Sequence, residues 1–456
     1  MPNSATACRK AGEGSVSGSG AAASFIALKL TRGGRGSAAR TALPVNSVAN
    51  APPSTNFVGP TTLPAMQHGF EIRSEWAHLS YAESSSVREV YGFAGSQGAV
   101  NLEGIRFVPE GKPSRVLLIY MHPASTLQLL PMPPAMARQG LHVLCAASRY
   151  SRNDTPLIFE NVVLDLGAWM RHAREVWGYE KVVLCGWSGG GALALLYQAQ
   201  AERPTITETP AGDPVDIAAA RLIAADAMIF QAAHVSRARL LADWIDPSVL
   251  DENDPDRRDR EFDLYDPRNP NVAPYSPDYL ARFRDRQLVR LRRRTDWVRE
   301  TLQTMRTRGE PQAERGFVTH RTMAEPRFLD ATIDPNGRKP GTSYLGEPRL
   351  ANSAPAGMAR FSTLRAWLSQ WSIDDTQAHG DRCAASVTVP FLAIENGADD
   401  AVPQPHTGLI FRAAASVDKT MVVIEAASHY YVGQPQQLNE AVRLCGEWLG
   451  ARGFVD

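Results

Sequence analysis

Nothing in this chain of 456 residues approaches the run of about eighteen apolar residues that a membrane-spanning helix needs. Charge of either sign in excess is also missing. Lys plus Arg and Asp plus Glu each number 48, so no overall field draws in nucleic acid or an anionic membrane, and neither is expected as a partner. The five cysteines are too few, and odd in number, for a disulfide framework. Cys145 and Cys185 fall in apolar runs, where a reduced thiol behaves as a small hydrophobe, which suits a reducing cytoplasm. The histidines are scattered, and neither H-E-x-x-H nor C-x-x-C occurs, so no metal and no cofactor are expected. The glycines at 189 to 191 lack the Lys-Ser/Thr that would make them a phosphate loop. The short apolar stretch Ala21 to Leu30 is broken by Lys29 and follows a Gly/Ser tract, and is read as no secretion signal.

What is present is the composition of a globular protein, 44% hydrophobic and 21% charged. Residues 1–60 are rich in Gly, Ser, Ala and Pro without periodicity and are expected to form a disordered or loosely packed arm. Residues 61–245 carry a core in which Val87–Tyr91 and Val100–Val108 alternate as half-exposed strands. Arg115–Tyr120, Leu141–Ala146, Lys181–Cys185 and Ala227–Ala233 read as strands buried on both faces. Helical spacing fills the intervals, as in Asn161–Trp177. Residues 246–388 break the alternation with an acidic start, many prolines and a basic helix, and are read as an inserted cap. The core returns over 389–456. Strands alternating with helices predict an α/β fold with a mostly parallel central sheet flanked by helices.

One stretch organises the rest. Lys181-Val-Val-Leu-Cys-Gly186-Trp-Ser188-Gly-Gly190 is a buried strand, an abrupt G-x-S-x-G turn and a helix start, the pattern of a nucleophile elbow. Gly186 and Gly190 stand where side chains would collide as the strand folds back into a helix. At that helix start the Gly189 N–H points where negative charge develops on an attacked carbonyl. A serine hydroxyl needs a base and an orienting acid, and both follow at strand ends: Asn396-Gly-Ala-Asp399-Asp400-Ala-Val-Pro403, then Glu425-Ala-Ala-Ser-His429-Tyr-Tyr.

Together these motifs resemble the α/β-hydrolase superfamily over roughly Val87–Gln200 and Val387–Leu449. The resemblance implies an α/β-hydrolase fold with Ser188 as nucleophile, His429 as base, and Asp399 or Asp400 as acid. Counting back from Val402-Pro403 favours Asp399, while counting forward from Gly397 favours Asp400; Asp399 is preferred. Asp243 and Asp246 are the available acids after the preceding core strand. The superfamily's second oxyanion donor follows its third core strand, often as His-Gly-X; here the matching segment is Met121-His122-Pro123-Ala124. Proline has no N–H, so Ala124 is the expected partner of Gly189. His122 is placed in the substrate pocket or in a structural role, and Trp187 either in the pocket wall or in the core behind the elbow.

The cap supplies Trp297, Trp367, Trp371, Phe283, Phe361 and Tyr344, most of them cap core, and an aromatic lid favours a bulky apolar substrate. The arginines of 282–299 have apolar partners at helical spacing and an acidic complement at 251–266; pairing across a homo-oligomer interface is a further expectation. The leading functional expectation is a serine hydrolase of a carboxylic ester or lactone, an esterase or lactonase working through an acyl-enzyme. A faint likeness to bacterial lactonases that open the macrolactone zearalenone suggests one candidate substrate. The alternatives are a C–C bond hydrolase or other acyl transferase on the same triad, and a non-catalytic ligand receptor.

Overall fold

The computed structural model describes residues 69–82, 99–310, 313–334 and 337–455. The expected N-terminal arm, the Ala21–Leu30 stretch, Cys8 and the expected strand Val87–Tyr91 lie outside these residues. Eight strands form one sheet: β1 (Ile72–Ala82), β2 (Ala99–Pro109), β3 (Val116–Met121), β4 (His142–Ala146), β5 (Lys181–Trp187), β6 (Ala227–Gln231), β7 (Phe391–Asn396) and β8 (Lys419–Ile424). Their spatial order is β1-β2-β4-β3-β5-β6-β7-β8. β2 runs antiparallel to both β1 and β4, and every later pairing is parallel.

Burial follows from position in the sheet. The central strands β3, β4, β6 and β7 are buried at every residue because helices cover both faces. In β2, buried Val100 and Leu102 alternate with exposed Asn101 and Glu103, as a strand with one covered face requires. β5 sends Val182 and Leu184 into one apolar core and Val183, Cys185 and Trp187 into the other. The first core packs against helices α2 (Phe159–Arg171) and α3 (Gly189–Glu202), the second against α1 (Met132–Arg138) and α7 (Pro435–Gly450). α3 is buried along nearly its whole length, which explains its lack of a polar face.

Residues 232–390 join β6 to β7 and build a second, mainly helical layer. α4 (Arg237–Trp244) and the long α5 (Pro277–Thr307) share an apolar cluster with Trp367 and Trp371. Ser276 starts α5, its side chain accepting the Tyr279 N–H, with Pro277 at the first helical position. This layer begins at α4, ahead of residue 246, while its short helix Gly380–Ala384 packs back on α3. α6 (His406–Ala413) then links β7 to β8.

The arginines of α5 find partners inside the chain. Arg290 grips both carboxylate oxygens of Glu252 at 2.8 and 2.9 Å, Arg286 pairs with Asp259 at 2.6 Å, and Arg292 with Asp374 at 2.9 Å. The acidic segment read as their complement therefore serves in part as an intramolecular partner. No helix of the described residues is long and apolar enough to cross a membrane.

Candidate active site

β5 ends in a turn that only glycine-rich sequence can make. Ser188 has φ 51° and ψ −122°, a left-handed conformation that costs a residue with a Cβ roughly 1–3 kcal/mol. Neighbouring backbone holds it there: its N–H donates to the Ala232 carbonyl at 3.1 Å, and its carbonyl accepts the Gly191 N–H at 3.0 Å. A Cβ on Gly186 would stand 2.8 Å from Gly191 Cα, and one on Gly190 would stand 2.4 Å from the Met121 carbonyl oxygen. α3 is thus pressed against the ends of its own strand and of β3. The amides of Gly189 and Gly190, at its very start, have no carbonyl behind them within the helix.

His429 and Asp399 come from the loops after β8 and β7. His429 Nδ1 lies 3.0 and 3.1 Å from the two Asp399 oxygens, and both side chains are buried. Asp399 Oδ1 also accepts the N–H groups of Ala401 and Val402, at 2.8 and 2.6 Å, which locks the carboxylate. With Nδ1–H donating to Asp399, the lone pair of His429 is on Nε2. Asp400 makes no bond to the imidazole; its carboxylate faces the backbone N–H of His429 instead, and burial, and then the charge of Asp399, raise its pKa. Asp246 is committed to Arg321 and Asn352 at 2.7 and 2.8 Å, and Asp243 lies near Arg239 and Arg327, so neither serves His429.

Two residues that sequence reasoning missed brace the histidine loop. Asn396 donates to the Ser428 carbonyl and accepts from the Tyr431 hydroxyl, each at 2.9 Å, and Gln434 Oε1 accepts the Ser428 N–H at 2.8 Å. An Asn at a strand end and a Gln before a helix carry no signal of such a role.

The Met121–Ser125 turn differs from expectation in one respect. The Ala124 N–H donates to His122 Nδ1 at 3.1 Å, and the Ser125 N–H donates to the same atom at 3.0 Å. The imidazole lies against α3: a Cβ on Gly189 would be 2.6 Å from His122 Nε2. Trp187 does not line the cleft. Strand alternation turns it to the side of Val183 and Cys185, where its ring meets His429 edge-on at 5.6 Å.

Ser188, His122 and His429 open into one cleft of about 410 Å³. The helical layer roofs it with Leu240, Tyr344, Met358 and Trp371. Arg237, also lining the cleft, is ion-paired with Asp154 and lies over the Trp371 ring at 4.3 Å. His234 lines it too, its Nδ1 buried without a hydrogen-bond partner; burial and the nearby His406 and Arg237 hold its pKa well below the ordinary value. Neither Arg237 nor His234 belongs to a motif that marks it in the sequence.

An eight-stranded sheet in this order, a strained serine turn after β5, and the loops carrying Asp399 and His429 after β7 and β8 decide the architecture. The chain has the α/β-hydrolase fold. No family model matches it, and no curated protein does. Solved structures of low identity resemble it. A monoacylglycerol lipase from Paleococcus ferrophilus is 14% identical, with 76% of this chain and 98% of that one covered and a TM-score of 0.39. The esterase domain of a Rhodothermus marinus protein is 11% identical, with 82% and 98% covered and a TM-score of 0.40. Brefeldin A esterase, a bacterial homologue of human hormone-sensitive lipase, is 15% identical, with 86% and 78% covered and a TM-score of 0.40. The fold assignment rests on strand order and elbow geometry. Among the described residues no group of His, Cys, Asp and Glu is arranged to hold a metal ion, and the four described cysteines are free and buried.

Proposed function

We propose that this chain is a serine hydrolase that cleaves a carboxylic ester or lactone of a bulky, largely apolar substrate. Ser188 Oγ attacks the carbonyl carbon while His429 Nε2 takes its proton, and Asp399 stabilises the imidazolium that forms. The leaving alkoxide receives that proton, and water, activated by the same histidine, releases the acid from Ser188. The Gly189 N–H and a second donor from the Met121–Ala124 turn hold the oxyanion. One observation carries this reading: His429, backed by the buried Asp399, and the strained Ser188 line the same cleft. The helical layer acts as a cap, and its Leu240, Tyr344, Met358 and Trp371 supply apolar and aromatic surface against which a large acyl or alcohol group is buried.

The test is turnover of a panel of aryl esters, long-chain esters and lactones, zearalenone among them, by the parent and by Ser188→Ala. Mass spectrometry after treatment with a fluorophosphonate reads the nucleophile directly. Turnover that disappears in the variant, with the adduct on Ser188, supports the proposal. Activity on β-diketones with none on esters or lactones replaces it with C–C bond hydrolysis. No turnover of any substrate and no adduct replace it with a ligand receptor.

A further inference from the structure

We propose that the second oxyanion donor is the side chain of His122, through Nε2–H, and that the Ala124 amide does not supply it. The proposal rests on Ser188 being the nucleophile. Its first support is a proton count. His122 Nδ1 accepts the N–H groups of Ala124 and Ser125, at 3.1 and 3.0 Å, and a nitrogen that accepts two hydrogen bonds carries no hydrogen. The single proton of the neutral ring is therefore on Nε2, and the Ala124 N–H is already engaged.

The second support is position. The ring tip occupies the space where residue 189 would carry a side chain, with Nε2, Cδ2 and Cε1 at 2.6, 3.3 and 3.3 Å from a Cβ built on Gly189. Gly189 is the residue whose own N–H faces the attacked carbonyl, so two donors of different kinds flank one point. The absence of a side chain at 189 is what admits the imidazole. His122 shares the cleft with Ser188 and His429. Burial, and then Arg237 and His429, push its pKa down to about 3, so the ring is a neutral donor throughout the working range of an esterase.

The same arrangement rules His122 out as a second base, since one nitrogen is capped by amides and the other already holds a proton. As Ser188 bonds to the carbonyl carbon, the C=O π pair moves onto oxygen, which accepts from Gly189 N–H and His122 Nε2–H. Collapse returns that pair and expels the leaving group. His122 holds its proton throughout and only strengthens its bond as charge develops.

Two measurements on the full chain test this. Nitrogen-15 NMR of histidine-labelled protein reads the tautomer without any substitution: His122 is expected as Nε2–H, with no titration between pH 5 and 9. An Nδ1–H tautomer, or a midpoint near 6.5, overturns the proposal. In the second, His122→Ala is expected to lower kcat by roughly 10²–10³-fold with KM nearly unchanged. Its affinity for a trifluoromethyl ketone analogue should fall by the same factor as kcat/KM. An unchanged kcat, or a loss confined to KM and thermal stability, shows a structural residue and overturns it. Failure of the Ser188 reading is seen separately, as turnover surviving Ser188→Ala and a fluorophosphonate adduct elsewhere.

Discussion

Asp399 and His429, thirty positions apart, meet at 3.0 Å inside the protein, while Asp400 beside the first of them makes no bond to the ring. The amides of Ala401 and Val402 hold Asp399 Oδ1, so the carboxylate cannot swing away and its neighbour cannot replace it. Asp399→Asn is expected to lower kcat about 10³–10⁴-fold, since an amide no longer orients the ring or stabilises its cation. Asp400→Asn is expected to stay within a few-fold of the parent. Steady-state kinetics on an aryl ester separates the two.

The elbow glycines differ sharply from a glycine elsewhere. Gly190→Ala would put a methyl 2.4 Å from a backbone oxygen of β3 and is expected to destabilise by about 3 kcal/mol. Gly446 lies within α7 with nothing near its Cβ position, so Gly446→Ala is expected to stabilise by about 0.5–1 kcal/mol through helix propensity. Urea titrations of the two variants against the parent read both signs.

The helical layer is held by a buried ion pair. Asp246 is fully buried, with Arg321 at 2.7 Å, and Arg321 also reaches Asp263 at 2.7 Å. Asp246→Ala leaves Arg321 undercompensated in a dry site and is expected to cost about 3–5 kcal/mol. Its thermal transition should fall accordingly, and proteolysis should begin in residues 246–388.

Stability should also fall in mild acid. The pKa values of His122, His234 and His406 all lie below the ordinary 6.5, because burial and neighbouring cationic groups oppose their protonation. Below pH 6.5 the unfolded chain takes up protons at these positions while the native chain does not, so the native state loses ground as pH drops. The contribution is fully present above pH 6.5 and declines steadily down towards pH 3, where His122 and His406 protonate in the native state. Thermal melts from pH 8 to pH 4 are expected to show this descent, shallower in His406→Asn, whose amide oxygen can still accept the Val235 N–H.

Several features were legible before any coordinates. The fully apolar runs became central strands because a residue covered on both faces must be apolar in either direction. The elbow was legible because its steric demand falls within five residues, and Gly186 and Gly190 do stand against atoms that admit no side chain. The start of the helical layer was less clear: α4 joins it through Leu241 and Ala242, yet its sequence continues the pattern of the core.

The sequence by itself determined the alternation of strands and helices from β2 to the elbow, the turn that strains Ser188, and the succession of Ser188, Asp399 and His429 at strand ends, because each depends on sterics and polarity within a short window; β1 was not legible in it. Only the tertiary structure decided that Asp399 faces His429, that Trp187 turns into the core, that His122 Nδ1 takes up the Ala124 amide, and that Arg237 and His234 line the cleft. Those outcomes depend on side-chain direction and on contacts between segments far apart in the chain, where a shift of one residue exchanges the inside for the outside.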